Sequence, residues 1–177
     1  MDRNPARIIP AVLNHSGSRM ERAAKIAEVI RQSRPYRWVG VYDVGPELVS
    51  IVAFSGPSAP TYPQFPITKG LTGSAIREKK TIVVGDVGGD PRYLTAFGST
   101  LSEIIIPVMD ETSGAVVGTI DVESERKNAF LAEDQAMLEE CARMCANSAS
   151  AVVGTMILEM LVSSLTRLRT LGGRRPG

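Results

Sequence analysis

A chain of 177 residues and 19.0 kDa is long enough for one compact domain with accessory helices and too short for two ordinary ones. Its 20 basic and 19 acidic side chains leave a net charge of +1, which excludes the strongly cationic surface that a nucleic-acid partner needs. A composition 44% hydrophobic and 22% charged excludes a disordered chain as well.

Residues 1–17 read as an N-terminal extension. Pro5, Pro10 and His15 leave no uninterrupted apolar run there, so the segment is no secretory leader, and a cytoplasmic location is expected. The domain proper spans 18–153. Ser18-Arg19-Met20-Glu21 has the spacing of a capping box, in which a serine oxygen and a glutamate carboxylate satisfy the first free amides of a helix. Met20, Ala23, Ala27 and Ile30 then form its apolar stripe, and Ser33-Arg34-Pro35 ends it. Tyr36 to Asp43 and Glu47 to Phe54 are predicted strands of a hairpin that turns at Val44-Gly45-Pro46. Pro57, Pro60, Pro63 and Pro66 cannot donate to a ladder, so Ser55 to Pro66 is expected to be an irregular excursion.

Lys69-Gly70-Leu71-Thr72-Gly73-Ser74 opens a short helix to about Glu78, and a strand follows at Thr81 to Val84. Gly85 to Gly98 is expected to be loop, with one helical turn near Tyr93. Ser102 to Met109 and Ala115 to Ser124 form a second hairpin, central to the sheet, through the turn-favouring Asp110-Glu111-Thr112-Ser113-Gly114. Beyond Phe130, Leu138, Cys141, Cys145, Ser148, Val152 and Thr155 recur at three- and four-residue steps, which predicts a long helix toward Gly172-Gly173, whose continuity through the weak point at Gly154 stays open.

Such a helix of roughly 40 residues would span about 60 Å, more than a small domain can cover. Residues 154–177 are therefore read as a helical extension with a basic tail. The apolar Met156, Ile157, Met160, Leu161, Leu165 and Leu168 call for a homodimer through the terminal helices. Arg167, Arg169, Arg174 and Arg175 are expected in water rather than on lipid. The apolar stretch Ala149 to Val162 is interrupted by Ser150, Thr155 and Glu159 and falls short of the roughly 20 residues that cross a bilayer.

Cys141 and Cys145 stand i,i+4 on the last helix, with His15 the only imidazole in the chain, so no metal site is predicted. Two readings of the pair stay open: small hydrophobes on a buried stripe, or a redox pair.

Four motifs stand in order along the chain: Trp38-Val39-Gly40-Val41-Tyr42, Lys69-Gly70-Leu71-Thr72-Gly73, Ser102-Glu103-Ile104-Ile105-Ile106-Pro107-Val108 and Gly118-Thr119-Ile120-Asp121-Val122-Glu123-Ser124. With Phe130-Leu131-Ala132-Glu133-Asp134 opening the last helix, they resemble the GAF domain family from about Met20 to Val153. The resemblance implies an α+β fold of three layers: a central antiparallel sheet, N- and C-terminal helices on one face, and a ligand pocket on the other. The pocket would be roofed by the inserts Ser55 to Ile76 and Val87 to Leu101.

Within the family, the pattern is similar to that of GAF-type free methionine-(R)-sulfoxide reductases. Trp38, Tyr42, Glu103, Asp121 and Glu123 occupy matching positions. Those enzymes work through cysteines, and the alignment places Tyr62, Thr72 and Ala96 where the thiols stand. A threonine hydroxyl cannot replace a thiolate that must attack a sulfoxide and then be resolved as a disulfide. No catalytic residue is assigned.

Asp121 and Glu123 are i,i+2 on one strand and share a sheet face, which Glu103 on the neighbouring strand can also reach. Carboxylates gathered in a dry site raise one another's pKa or attract a cation. Trp38 offers a wall for that cation, and an amino-acid-like or amine ligand is expected at Trp38, Tyr42, Thr72, Glu103, Asp121 and Glu123. The plainer readings, strand packing for Trp38 and a structural role for the acids, stay open. Gly70 and Gly73 either present amides to an anionic group or only make a tight turn. No cofactor is expected: His15 has no partner for haem, and no cysteine precedes Cys141 to hold a bilin. The leading expectation is a regulatory module that binds a small molecule, and the alternative is an enzyme acting on a small amino-acid-like substrate.

Overall fold

In a computed structural model of the chain, residues 4–95, 97–146 and 152–153 are described. Helices α1 (Pro5–Leu13) and α2 (Arg19–Ser33) precede strands β1 (Trp38–Val44), β2 (Leu48–Ser55) and β3 (Gln64–Pro66). Helix α3 (Gly70–Glu78), strands β4 (Ile82–Val84), β5 (Ser102–Met109) and β6 (Val116–Ser124), and helix α4 (Ala132–Ala146) complete the order. The strands form one sheet in the order β3-β2-β1-β6-β5-β4, with every neighbouring pair antiparallel. This is the expected α+β architecture.

Alternation along the central strands sorts the two faces. Val39, Val41, Ile104, Ile106, Ile120 and Val122 join Ile9 of α1, Ile26 and Ile30 of α2, and Leu138 and Cys141 of α4 in the main core. Trp38, Tyr42, Glu103, Asp121 and Glu123 interleave with them in sequence and face the other way, toward α3 and the two inserts. Helices on one side and site on the other thus follow from a period of two.

Local chemistry explains the boundaries. Ser18 and Glu21 form the full capping box of α2: Glu21 N donates to Ser18 Oγ at 3.2 Å and Ser18 N donates to Glu21 Oε2 at 2.7 Å. The second hairpin turns on Asp110, whose Oδ1 accepts from the Thr112 and Ser113 amides at 3.0 and 2.7 Å. Tyr36 and Asp134 tie the start of β1 to the start of α4, the phenol donating to the carboxylate at 2.9 Å while Leu131 N donates to its other oxygen at 3.0 Å.

Several expectations need correction. Residues 5–13 are helical: Asn4 caps the first turn and Pro5 stands at its start, where a missing N–H costs nothing. Ala6, Ile9 and Leu13 of this helix are buried in the main core. Met20 lies outside the apolar stripe of α2, 63% exposed, and Ile26 takes its place. The proline-rich excursion ends in an edge strand, because Gln64 to Pro66 pairs with Leu48 to Ser50 at a border where proline is tolerated. The second insert carries a 3-10 turn at Val87–Gly89, capped by Asp86, and the turn expected near Tyr93 is a single one closed by Tyr93 N donating to Asp90 O at 3.1 Å. Helix α4 is described to Ala146, and Val152 and Val153 are buried in a bend rather than in helix. The extension predicted at 154–177 and its part in a dimer lie outside the described residues.

Candidate ligand-binding site

Trp38 lies flat across the non-helical face of β1, and two glycines make that possible. A Cβ at Gly40 would stand 2.3 Å from Trp38 Cη2, and one at Gly56 would stand 2.3 Å from Trp38 Cδ1. The indole N–H donates to Ser58 O at 3.1 Å, which fastens the first insert over the sheet. Tyr42, Phe54 and Phe97 surround the indole with ring centroids 6.3, 6.0 and 5.5 Å away, and Phe65 meets Tyr42 edge-on at 5.8 Å. Arg37 lies over the Phe97 ring at 5.0 Å and pairs with Glu125 at 2.6 Å.

Three buried acids complete the floor. The β5–β6 register sets Glu103 opposite Glu123, and the β1–β6 register sets Trp38 opposite Glu123 as well. Burial, then Glu123, Asp121 and Asp90, hold the Glu103 carboxyl well above the ordinary carboxylate range. Asp121 is pushed up to about 7 by burial, against the opposing pull of the Thr119 and Thr72 hydroxyls. Burial likewise raises Glu123 to about 7, against the Thr100 hydroxyl and the Arg37 charge. The same surroundings raise the Tyr42 phenol, chiefly through burial and then through Asp121, Glu103 and Glu123.

The hydrogen bonding of the acids is incomplete. Thr72 Oγ1 donates to Asp121 Oδ2 at 3.0 Å, and Thr100 donates to Glu123. The Thr119 hydroxyl lies near enough to influence Asp121 but makes no hydrogen bond of normal geometry to it. Asp121 Oδ1 and Thr119 Oγ1 are both buried without a hydrogen-bond partner among the described residues. A carboxylate oxygen shielded from water in this way is costly until a donor reaches it, and the neighbouring Thr119 hydroxyl or a bound guest can supply one.

All six residues expected at the site, Trp38, Tyr42, Thr72, Glu103, Asp121 and Glu123, line one cavity of about 40 Å³. Tyr62, expected from the sequence at one of the reductase thiol positions, lines it too, whereas Ala96 lies outside the described residues. Leu71, from the Lys69-Gly70-Leu71-Thr72-Gly73 motif, completes the wall with Pro60, Phe65 and Leu94, which carried no sequence signal beyond their place in the inserts. Gly70 and Leu71 bring the first turn of α3 to the cavity, where helix amides lack intrahelical partners. Larger depressions, about 540 Å³ between α4 and β5 and about 520 Å³ between α1 and α2, are open grooves that gather no such buried acids. No group of three His, Cys, Asp or Glu side chains among the described residues is disposed to hold a metal ion.

Cys141 and Cys145 are fully buried on the helical side of the sheet, and burial pushes both thiols up to about 12. They take the first of their two readings, as small hydrophobes of the core.

An antiparallel sheet with helices on one face and a roofed cavity on the other is the architecture of an α+β ligand-binding domain. Residues 18–149 match the GAF domain model, and the chain belongs to that family. It is 27% identical over 140 residues to GAF domain-containing protein A of Dictyostelium discoideum, covering 78% of this chain and 86% of that one. The structure is similar to that of a type II free methionine-R-sulfoxide reductase from Thermoplasma acidophilum, with 31% identity, a TM-score of 0.69 and coverage of 72% and 89% of the two chains. It is also similar to the free methionine-R-sulfoxide reductase of Neisseria meningitidis in complex with its substrate, with 26% identity, a TM-score of 0.75 and coverage of 84% and 87%. No described helix is long and apolar enough to cross a membrane.

Proposed function

We propose that this chain is a regulatory GAF domain of the cytoplasm that binds a small amino-acid-like or cationic molecule and signals through its helices as a homodimer. The observation that carries the reading is the buried Asp121 Oδ1 without a hydrogen-bond partner of normal geometry among the described residues, in one cavity with two further buried acids and an aromatic wall. An ammonium group would supply the missing donor and offset the mutual repulsion of Glu103, Asp121 and Glu123. Trp38 and Tyr42 would add a contribution of about 0.5 to 2 kcal/mol, depending on how far the cation is desolvated. A ligand carboxylate would face the first amides of α3 beside Thr72.

Transmission follows from the sheet. Ile120 and Val122 alternate with Asp121 and Glu123 on β6 and pack in the helical core with Leu138 and Cys141 of α4. A shift of β6 on ligand binding therefore acts on α4 and its neighbours. Calorimetric titration with free L-methionine, L-methionine-R-sulfoxide and simple amines tests the reading. Asp121→Asn and Glu103→Gln are expected to weaken a cationic ligand at least ten-fold while the far-ultraviolet spectrum stays native. Saturation at about 100 times the dissociation constant would add about 2.7 kcal/mol to stability. Equal binding by wild type and Asp121→Asn would refute the role given to the acids.

The 31% identity with a reductase, together with the shared acidic and aromatic positions, supports a second reading, turnover of an amino-acid-like substrate. The chain has no cysteine before Cys141 with which to carry the thiol route, which favours binding over turnover.

A further inference from the structure

We infer that Leu94 and Phe97 of the second insert form an internal plug of the pocket: Leu94 occupies space that a ligand must take, and Phe97 rests on Trp38. The inference rests on the pocket reading above and adds how the pocket is opened and what limits its guest.

The cavity of about 40 Å³ exceeds the roughly 30 Å³ share of one liquid water by little, whereas sites for drug-sized ligands hold about 300 to 1,000 Å³. Any amino-acid-like guest must displace protein atoms. The floor makes no room by itself, because β1, β6 and β5 are paired along their length and shift only together. The first insert is stapled to that floor. Gln64 to Pro66 pairs with β2, Ile51 N donates to Pro63 O at 2.8 Å, and the indole N–H holds Ser58.

The second insert is braced on itself. Arg92 and Tyr93 bond back to Asp90, while Phe97 O accepts from Thr100 N at 3.3 Å and from the Tyr93 hydroxyl at 3.5 Å. Thr100 and Leu101 tie the end of this insert to Glu123 and Ser124, whereas Leu94 and Phe97 are held over the site by apolar contacts. Leu94 lines the cavity and sits so close to Gly70 that a Cβ there would meet its Cδ1 at 2.9 Å. Phe97 rests on Trp38, with Arg37 over its ring. Leu94 and Phe97 are both only partly buried, so each can swing outward without opening the main core. Binding and plugging then compete, and apparent affinity is reduced by the fraction of molecules that are plugged.

The test compares the wild-type chain with Leu94→Ala and Phe97→Ala, titrated by calorimetry with L-methionine and L-methionine-R-sulfoxide. Removing the plug is expected to tighten binding on the order of ten-fold in Leu94→Ala. Phe97→Ala should raise acrylamide quenching of Trp38, the only tryptophan, without ligand, and ligand should do the same to the wild type. If wild type binds and a folded Leu94→Ala binds equally or more weakly, Leu94 is a wall of the site rather than its plug, and the inference is overturned. If neither protein binds any of these compounds, the pocket reading itself fails and the plug fails with it.

Discussion

At the scale of single residues, the site is a set of groups whose ordinary preferences are denied. Asp121 and Glu123 are held near pH 7, well above the usual range of about 4, and Glu103 is displaced the same way. Because their folded pKa values exceed the unfolded ones, the folded state holds more protons between these limits. Stability from this source is complete below about pH 4 and is lost as pH rises through about 7. Asp86, Asp90 and Asp110 are displaced downward at the surface, so their effect falls below pH 4 and leaves that window clear. Chemical denaturation should therefore find the ligand-free protein more stable at pH 5 than at pH 8. In Asp121→Asn/Glu123→Gln the difference should shrink markedly, and an unchanged slope would place the titrating groups elsewhere. A cationic ligand should bind more tightly as pH rises through 7, opposite in sign to the stability trend. Gly40 carries a second prediction at this scale. Gly40→Ala would drive a methyl into Trp38 and Tyr42, so it should displace the indole emission and cost about 1 to 3 kcal/mol.

At the scale of elements, packing contacts decide what sequence pattern can and cannot show. The strands from Trp38 to Val44 and from Val116 to Ser124 were legible because bulky apolar residues alternate with site residues along them, and a period of two survives any tertiary context. The capping box placed α2 for the same reason: its two hydrogen bonds are local. Helix α1 was not legible, since Pro5 and Pro10 read as breaks and its stability comes from Ile9 and Leu13 meeting α2 and α4. Ile9→Ala should accordingly cost about 2 to 5 kcal/mol although it lies before the segment that matches the family. The site acids were legible from spacing and resemblance, whereas Leu94, Phe97 and Arg37 reach the site through loop geometry that no periodicity encodes. Tyr36 and Asp134 bridge two elements distant in sequence, which likewise left no pattern. Tyr36→Phe would remove one donor from a buried carboxylate that keeps Leu131 N on its other oxygen and Arg34 beside it at 3.3 Å. A loss of about 1.5 to 3 kcal/mol in urea denaturation is expected, with ligand affinity unchanged.

At the scale of the whole molecule, the sheet divides chemistry from mechanics. Acids and indole lie on one side, and every sulfhydryl in the chain lies on the other, under α4. That partition makes the choice between a receptor and a reductase, built on one framework, open to test. A sulfoxide reductase of the cysteine type needs a thiolate within reach of the sulfur and a second thiol to resolve the product. Cys141 and Cys145 are shielded by the six-stranded sheet and remain protonated at neutral pH, their thiols pushed up to about 12. Folded protein should therefore react with a thiol-directed reagent far more slowly than protein unfolded in guanidinium, in which both sulfurs label. With free L-methionine-R-sulfoxide and dithiothreitol, turnover should not exceed that of a Cys141→Ala/Cys145→Ala variant that retains the native fold. Sustained reduction lost in that variant would show that α4 leaves the sheet during catalysis, and would replace the receptor reading with an enzymatic one. Binding without turnover, at a site where Thr72 donates to Asp121, would show the same acids serving recognition instead.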